Sequence, residues 1–357
     1  MGKSISPGGV AAVLEAGLRA GATDWQFRAG EAAHYRAGGQ LRRAAEPALA
    51  EADLQAFAAQ ALRAGEPVRP DTDASFDHGG ARFRLHSYSA EGAFCCTLRH
   101  LPGRLPDLSA LGVPAAFAPQ ALGGAPGLIL VTGPTGSGKT TTLAAAIDYL
   151  NRERAAMILT LEDPIEYRHA HRRSVVRQLE KGRDFTDFAA ALRGALRIDP
   201  DVILVGEMRD RETIAAALTA AETGHQVLAT LHAPSAPAAV ARVLGAFPAE
   251  HAGEVRAQLA ETLLAVLAQQ LVQPAGRPAV AAFELLLATP GVRHLIADPG
   301  RKHRLLANEI ATGGGQGMIA MDQSLEDLWR RGRLGREDAL RAAFQPAGLG
   351  PRLRRPA

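Results

Sequence analysis

The chain has 357 residues, 40 Lys and Arg against 37 Asp and Glu, a net charge of +3 and 47% apolar residues. That balance excludes an intrinsically disordered chain and gives no electrostatic case for a nucleic-acid partner; by length it suggests two domains. Two adjacent cysteines, Cys95 and Cys96, offer neither a disulfide framework nor metal-ligand spacing, and point to a reducing compartment.

In chain order, residues 1–30 carry Glu15 and Arg19 where a secretory signal needs an unbroken apolar core, so none is expected. No apolar run approaches the ~18 residues of a membrane span. Residues 1–100 read as a small domain mixing helix and strand. Val10 to Ala20 has helical spacing, and Asp24 to Arg28 alternates as a strand. Glu51 to Ala64 places Leu54, Phe57, Ala58 and Leu62 on one helical face. Arg82–Tyr88 and Ala93–Arg99 alternate as strands, joined as a hairpin across Ser89–Gly92. Arg82, Arg84, His86 and Tyr88 share a face of the first.

Residues 101–126 contain Pro102, Pro106, Pro114, Pro119 and Pro126, the chemistry of a linker, with a short helix expected around Ser109 to Ala118. From Gly127 onward, apolar runs alternate with helical patterns. Strands are expected at 127–132, 157–162, 202–206, 227–231 and 279–286, and helices at 140–153, 184–197, 211–222 and 254–270. That alternation predicts a mostly parallel sheet covered on both faces, running from 127 to 289. Residues 290–357 read as a helical annex ending in a Pro/Arg tail. Its Arg352, Arg354 and Arg355 are read as solvated rather than as a nucleic-acid contact.

Five stretches carry chemistry. The run Leu128–Thr132 leads into Gly133-Pro134-Thr135-Gly136-Ser137-Gly138-Lys139-Thr140-Thr141, followed by a helical pattern. This strand, glycine loop and helix form the context of a phosphate-binding P-loop. Glycines let backbone N–H groups converge on phosphate oxygens, and the helix adds unpaired N–H groups and its positive dipole end. Lys139 would neutralise phosphates, and Thr140 would ligate Mg²⁺. The second stretch, Asp199 to Glu207, is a buried strand ending in an acid. Glu207 is the candidate to position and activate a water, with capping of the next helix as the alternative. Third, Glu162, Asp163 and Glu166 crowd the end of another strand; Glu162 and Asp163 are metal candidates, and Glu162 and Glu166 join the catalytic set through a water network. Fourth, His225 and His232 bracket a strand. Their spacing of seven sends them to opposite faces, which argues against one shared metal. Fifth, Arg82, Arg84 and Arg99 could stabilise a transferring phosphoryl from the same chain or from a neighbour, with a solvated basic face as the alternative.

These stretches, in this order and spacing, resemble the secretion and pilus motor ATPases (GspE/PulE/PilT-like), most closely the PilT-like type IV pilus retraction ATPases. The resemblance rests on the P-loop, the acidic Ile158–Tyr167 stretch, Val205–Asp210 with its glutamate, and Thr223–His232. Gly21–Asp24, Arg82–Arg84, Glu284–Pro290 and Met321–Leu325 add to it. It implies an N-terminal PAS-like α+β domain, then a RecA-like P-loop ATPase domain with a C-terminal helical annex. It further implies ATP and Mg²⁺, a homo-hexameric ring, and active sites closed by arginines of the N-terminal domains. In such rings Glu207 is the catalytic base, and His225 and His232 are the family's pair, His225 toward the nucleotide and His232 in the catalytic set. The implied output is pilus retraction against an inner-membrane platform protein (PilC-like) from the cytoplasmic face of the inner membrane, alone or with a paralogous retraction ATPase. A secretion or DNA-uptake ATPase and a non-hydrolysing ring subunit are the alternatives. Four departures from the family pattern stand out: Trp25-Gln26, His86, Ala233-Pro234-Ser235, and Gly291-Val292-Arg293-His294-Leu295 in the element associated with retraction.

Overall fold

Period-two alternation builds the first unit of the chain. The computed structural model describes residues 9–61, 68–69, 71–101, 103, 105–274, 276–298 and 305–353, so the expected Leu62–Ala64 helix end, Pro102, Arg354 and Arg355 lie outside the described residues. The elements of the first unit are α1 (Val10–Arg19), β1 (Ala22–Arg28), β2 (His34–Ala37), β3 (Gln40–Arg43), α2 (Glu51–Ala61), β4 (Thr72–His78), β5 (Ala81–Ala90) and β6 (Ala93–Leu101). Their strands form an antiparallel sheet in the order β3-β2-β1-β6-β5-β4. On one face Trp25, Phe27, Phe83, Leu85 and Leu98 are buried with α1 and α2. The other face carries Arg84, His86, Thr97 and Arg99, as the alternation of β5 and β6 requires. The hairpin between them turns on Glu91 and Gly92, both at positive φ (50° and 77°), the backbone of a two-residue turn. Strands β2, β3 and β4 were not expected. β3 is exposed throughout, and β4 offers only Ala74 and Phe76 as apolar residues, so neither shows a clear alternation.

Two later segments, Asp163–Arg168 and Glu180–Thr186, belong to this unit. A buried network ties them in. Glu180 accepts from Ser75 Oγ (2.7 Å) and from the Ile165 N–H (3.0 Å). Arg82 lies 3.7 Å from Glu180, donates to the Ile165 carbonyl (2.9 Å) and pairs with Asp77 (3.1 Å).

The second unit runs from Pro106 through the remaining residues. Its elements are α3 (Phe117–Ala121), β7 (Gly127–Thr132), α4 (Lys139–Glu153), β8 (Met157–Glu162), β9 (Val175–Glu180), α5 (Phe188–Ala195), β10 (Val202–Val205), α6 (Arg211–Glu222), β11 (Gln226–Leu231), α7 (Ala236–Gly245), α8 (Ala252–Thr262), β12 (Leu263–Val272) and β13 (Val280–Leu287). The annex adds α9 (Pro290–Ala297), α10 (Leu306–Thr312), α11 (Met321–Arg330), α12 (Arg336–Ala342) and α13 (Pro346–Leu349). The sheet order is β13-β12-β7-β11-β10-β8-β9, with β12, β7, β11, β10 and β8 parallel and β13 antiparallel to β12. Strands β7, β10 and β11 are buried at every position, which explains why they read as unbroken apolar runs.

Two expectations are corrected. The helix expected over 254–270 ends at Thr262, and Leu263–Val272 is a strand. Wedged between β7 and β13, this strand buries Leu263 and every residue from Ala265 to Gln269, so its apolar run has no period to tell strand from helix. The short helix expected near Ser109 to Ala118 lies instead at Phe117–Ala121, where Phe117, Ala121 and Leu122 are buried.

Candidate nucleotide site

The carboxyl ends of the parallel strands gather the site, as open α/β sheets do. Strand β7 delivers the chain into Gly133, whose φ is +149°; a Cβ there would lie 2.3 Å from the Gln269 carbonyl oxygen, so a side chain has no room. The loop ends at Gly138, which is left-handed (φ 88°, ψ 19°) and starts α4. Lys139 follows, 9% exposed, with Nζ donating to the carbonyls of Gly133 (2.9 Å) and Pro134 (3.0 Å). Burial pushes its pKa below the ordinary lysine value, and Glu207 opposes that shift. The two carbonyls satisfy donors of the buried ammonium, which would otherwise be costly to bury.

Glu207 stands just past β10 in a loop held from both sides. The Gly206 N–H donates to the Leu161 carbonyl (2.7 Å), and the Met208 N–H to that of Thr230 (3.0 Å). Thr230 Oγ1 donates to the Gly206 carbonyl (2.5 Å). The Glu207 carboxylate meets Arg209 Nε at 2.7 Å and His232 Nε2 at 3.9 Å. It does not cap α6: Asp210 does, accepting from the Thr213 N–H at 2.7 Å. His232 follows β11, and its loop is tied to the P-loop strand by Thr132. That hydroxyl accepts from the Ala233 N–H (2.9 Å) and donates to the Ala233 carbonyl (2.8 Å). Burial, then the nearby Lys139, holds His232 below the ordinary imidazole range, with Glu207 pulling the other way.

The remaining candidates fall on both units. Glu162, at the end of β8, accepts from Thr160 Oγ1 (2.6 Å) and Gln178 Nε2 (2.9 Å). Asp163 and Glu166 belong to the first unit, where Asp163 pairs with Lys181 (3.0 Å). Glu166 is half-buried; burial raises its pKa, while Arg84 and Arg99 oppose. Arg84 also pairs with Asp73 (3.2 Å) and Arg99 with Asp24 (2.8 Å). Arg82 is enclosed in the Glu180 network rather than presented on an open face. His225 sits before β11, bonded through Nδ1 to the Ala220 carbonyl (2.9 Å). The six residues of β11 place it roughly 20 Å from the carboxyl edge, so it does not join the P-loop of its own chain.

The residues fit a nucleotide triphosphate. The loop is a cradle with left-handed glycines, the lysine is buried on two loop carbonyls, and Ser137 Oγ is buried with no hydrogen-bond partner among the described residues. For Mg²⁺, the described residues contain no group of three or more His, Cys, Asp or Glu arranged to hold a metal. The exposed Thr140 on the first turn of α4, completed by nucleotide oxygens and water, is the arrangement such an ion tolerates. Sequence reasoning passed over Thr132, Thr230 and Gln269, which position the loops. Gln269 did carry a signal, an amide inside an apolar run.

Sheet order, cradle and Glu207 together define a P-loop ATPase of RecA-like layout. The family model for "Type II/IV secretion system protein" matches residues 33–322, and the chain belongs to that family. It is 41% identical to the type IV pilus retraction ATPase PilT of Pseudomonas aeruginosa over 94% of this chain and 98% of the relative. It is 46% identical to a twitching motility protein of Neisseria gonorrhoeae over 74% of this chain and 70% of that one. The crystal structure of the pilus retraction motor PilT with bound ADP superposes with a TM-score of 0.85 at 36% identity, covering 95% of this chain and 98% of that one. Among the described residues no helix is long and apolar enough to cross a membrane.

Proposed function

We propose that this chain is the ATP-hydrolysing motor of type IV pilus retraction. The observation that carries the reading is Lys139, buried on two loop carbonyls with Glu207 and His232 beside it, in a chain similar to PilT over almost its whole length. Lys139 would leave the Gly133 and Pro134 carbonyls for the phosphates. Glu207 would accept the proton of the attacking water, and neutral His232 would orient that carboxylate. Bound Mg²⁺, held by Thr140 with nucleotide oxygens, would offset phosphate charge; Glu162 and Asp163 would act on its water shell. Arg84 and Arg99, flanking Glu166, would close the neighbouring subunit's site; Arg82 and Glu180 would hold that surface in shape.

The assembly is a homo-hexamer at the cytoplasmic face of the inner membrane, where hydrolysis works on a pilus platform protein. An accessory paralogue of a main retraction motor is the second reading, favoured by the departures at Trp25-Gln26, His86 and Gly291–Leu295. Purified protein should hydrolyse ATP with Mg²⁺. Lys139→Ala should abolish this, and Glu207→Gln should slow it by about 10²–10⁴-fold. Deleting the gene should leave cells heavily piliated and without twitching; cells without pili would instead mean assembly. Normal twitching in the deletion strain would reject the main-motor role; loss of twitching only together with a second ATPase would then select the accessory role, and normal twitching in both strains would reject retraction.

A further inference from the structure

The geometry points to Gln269 as a positioning residue of the nucleotide site: its side-chain amide locks the Ser137–Gly138 peptide with the Gly138 N–H turned into the P-loop. The inference rests on the P-loop reading above and adds a residue from a different strand to it.

In register, Ala268 of β12 pairs with Thr132 of β7, so Gln269 stands one residue past that pair, level with Gly133. The contact is close, since only a glycine at 133 clears the Gln269 carbonyl. The Gln269 side chain is 1% exposed and reaches the far side of the loop, where Nε2 donates to the Ser137 carbonyl at 2.5 Å. Only the NH₂ end of the amide can face a carbonyl, which fixes its orientation. Its Oε1 then lies buried with no hydrogen-bond partner among the described residues, as does Ser137 Oγ. An unpartnered buried oxygen is unfavourable, and an apolar side chain of the same length would avoid it. The donor at Nε2 is therefore the property that the site uses.

A trans peptide is planar, with its C=O and N–H pointing in opposite directions. Gripping the Ser137 carbonyl from the β12 side turns the Gly138 N–H away from β12, toward the cradle. The lock matters because Gly138 has no Cβ to resist a flip of that peptide, and its left-handed backbone (φ 88°) is one that glycine enters and leaves freely. A flipped peptide would present a carbonyl oxygen to phosphate.

The test is equilibrium titration of the full-length protein with fluorescent ADP, together with the KM and kcat of ATP hydrolysis. Gln269→Met keeps the length and removes the donor; Gln269→Leu removes the donor with a shorter apolar side chain. Both should weaken ADP binding by about tenfold and raise KM more than they lower kcat, the scale of one hydrogen bond. If Gln269 only fills space, Met binds ADP as the wild type does, and the proposal is overturned. Should the Met variant fail to fold, wild-type affinity in the Leu variant overturns it equally. Absence of ADP binding by the wild type would instead reject the nucleotide reading itself. Binding that is lost in Lys139→Ala yet intact in both Gln269 variants would reject only the lock.

Discussion

At the scale of single residues, the site works through desolvation. His232 is held below its ordinary imidazole value by burial and by Lys139, so it is neutral at physiological pH and stands 3.9 Å from the Glu207 carboxylate without adding a second cation. Hydrolysis by the wild type should therefore hold its rate as pH falls through roughly 6.5, the ordinary imidazole value, and decline only below it. His232→Gln should lack that His-linked acid decline and run about tenfold slower at neutral pH, the scale of one lost hydrogen bond in the transition state. A pH–rate profile of the two proteins checks both points; a decline that starts at the ordinary imidazole value in the wild type would contradict the lowered pKa. The sign for stability follows from the same shift. Between the lowered and ordinary values the unfolded chain binds a proton that the folded chain does not, so acidification through that window destabilises the fold. Lys139, Glu207 and Thr140 were legible in the sequence because glycine spacing and an acid after a buried strand are local patterns. Thr132, Thr230 and Gln269 were not, because their partners lie on other strands and only the sheet order brings them together.

Elements are decided by close packing at a few positions. In the first unit Gly17 of α1 lies against the Trp25 indole, which donates from Nε1 to the Val13 carbonyl (3.3 Å) and stacks edge-on against Phe83 (5.5 Å). A Cβ at position 17 would lie 2.3 Å from that nitrogen. Gly17→Ala should push the indole off α1 and cost about 1–3 kcal/mol, the range for overpacking a filled core. With Trp329 replaced by Phe, Trp25 is the only tryptophan left of two, so a red-shifted emission and a lower urea midpoint report the change directly. In the second unit Glu284 of β13 joins two helix starts. Its carboxylate accepts from the Ala236 N–H of α7 (2.7 Å) and from the Met321 N–H of α11. Burial raises its pKa, Asp322 adds to that, and the two N–H groups oppose. Glu284→Ala would orphan both donors and should cost about 2–4 kcal/mol, whereas Glu284→Gln retains a carbonyl acceptor and should cost less than half as much. Because the folded carboxyl holds its proton to higher pH than the unfolded one, the wild type loses part of its stability as pH rises from the ordinary carboxylate value of 4.5 through the raised one. Urea melts at several pH values should show that slope in the wild type and not in Glu284→Gln. The strands with a regular period or a clean apolar run were readable in advance. β12 was misread because burial on both faces erases the period, and β3 was missed because exposure on both faces does the same.

For the whole molecule, the proposed site residues fall on both units: the P-loop, Glu207 and His232 stand on the second, and Arg84, Arg99 and Glu166 on the first. Sequence order could show that both sets exist, but a single chain does not say which copy's arginines serve which copy's nucleotide. In a head-to-tail ring each interface is the same asymmetric pairing, so a site built across it takes the P-loop from one subunit and the arginines from the next. Two defective proteins then complement each other. Chains with Arg84→Ala and Arg99→Ala keep an intact P-loop, and chains with Lys139→Ala keep intact arginines. Each alone should be nearly inactive. Mixed in equal amounts and allowed to exchange subunits, a random ring has one interface in four that sets an intact P-loop against intact arginines, so about a quarter of the wild-type rate should return. If the arginines served the nucleotide of their own chain, no mixed interface would contain a complete site and the mixture would stay inactive. The readout is steady-state phosphate release as the mixing ratio is varied. It should peak at equal proportions for shared sites, and remain at the baseline of the two mutants for sites completed within one chain.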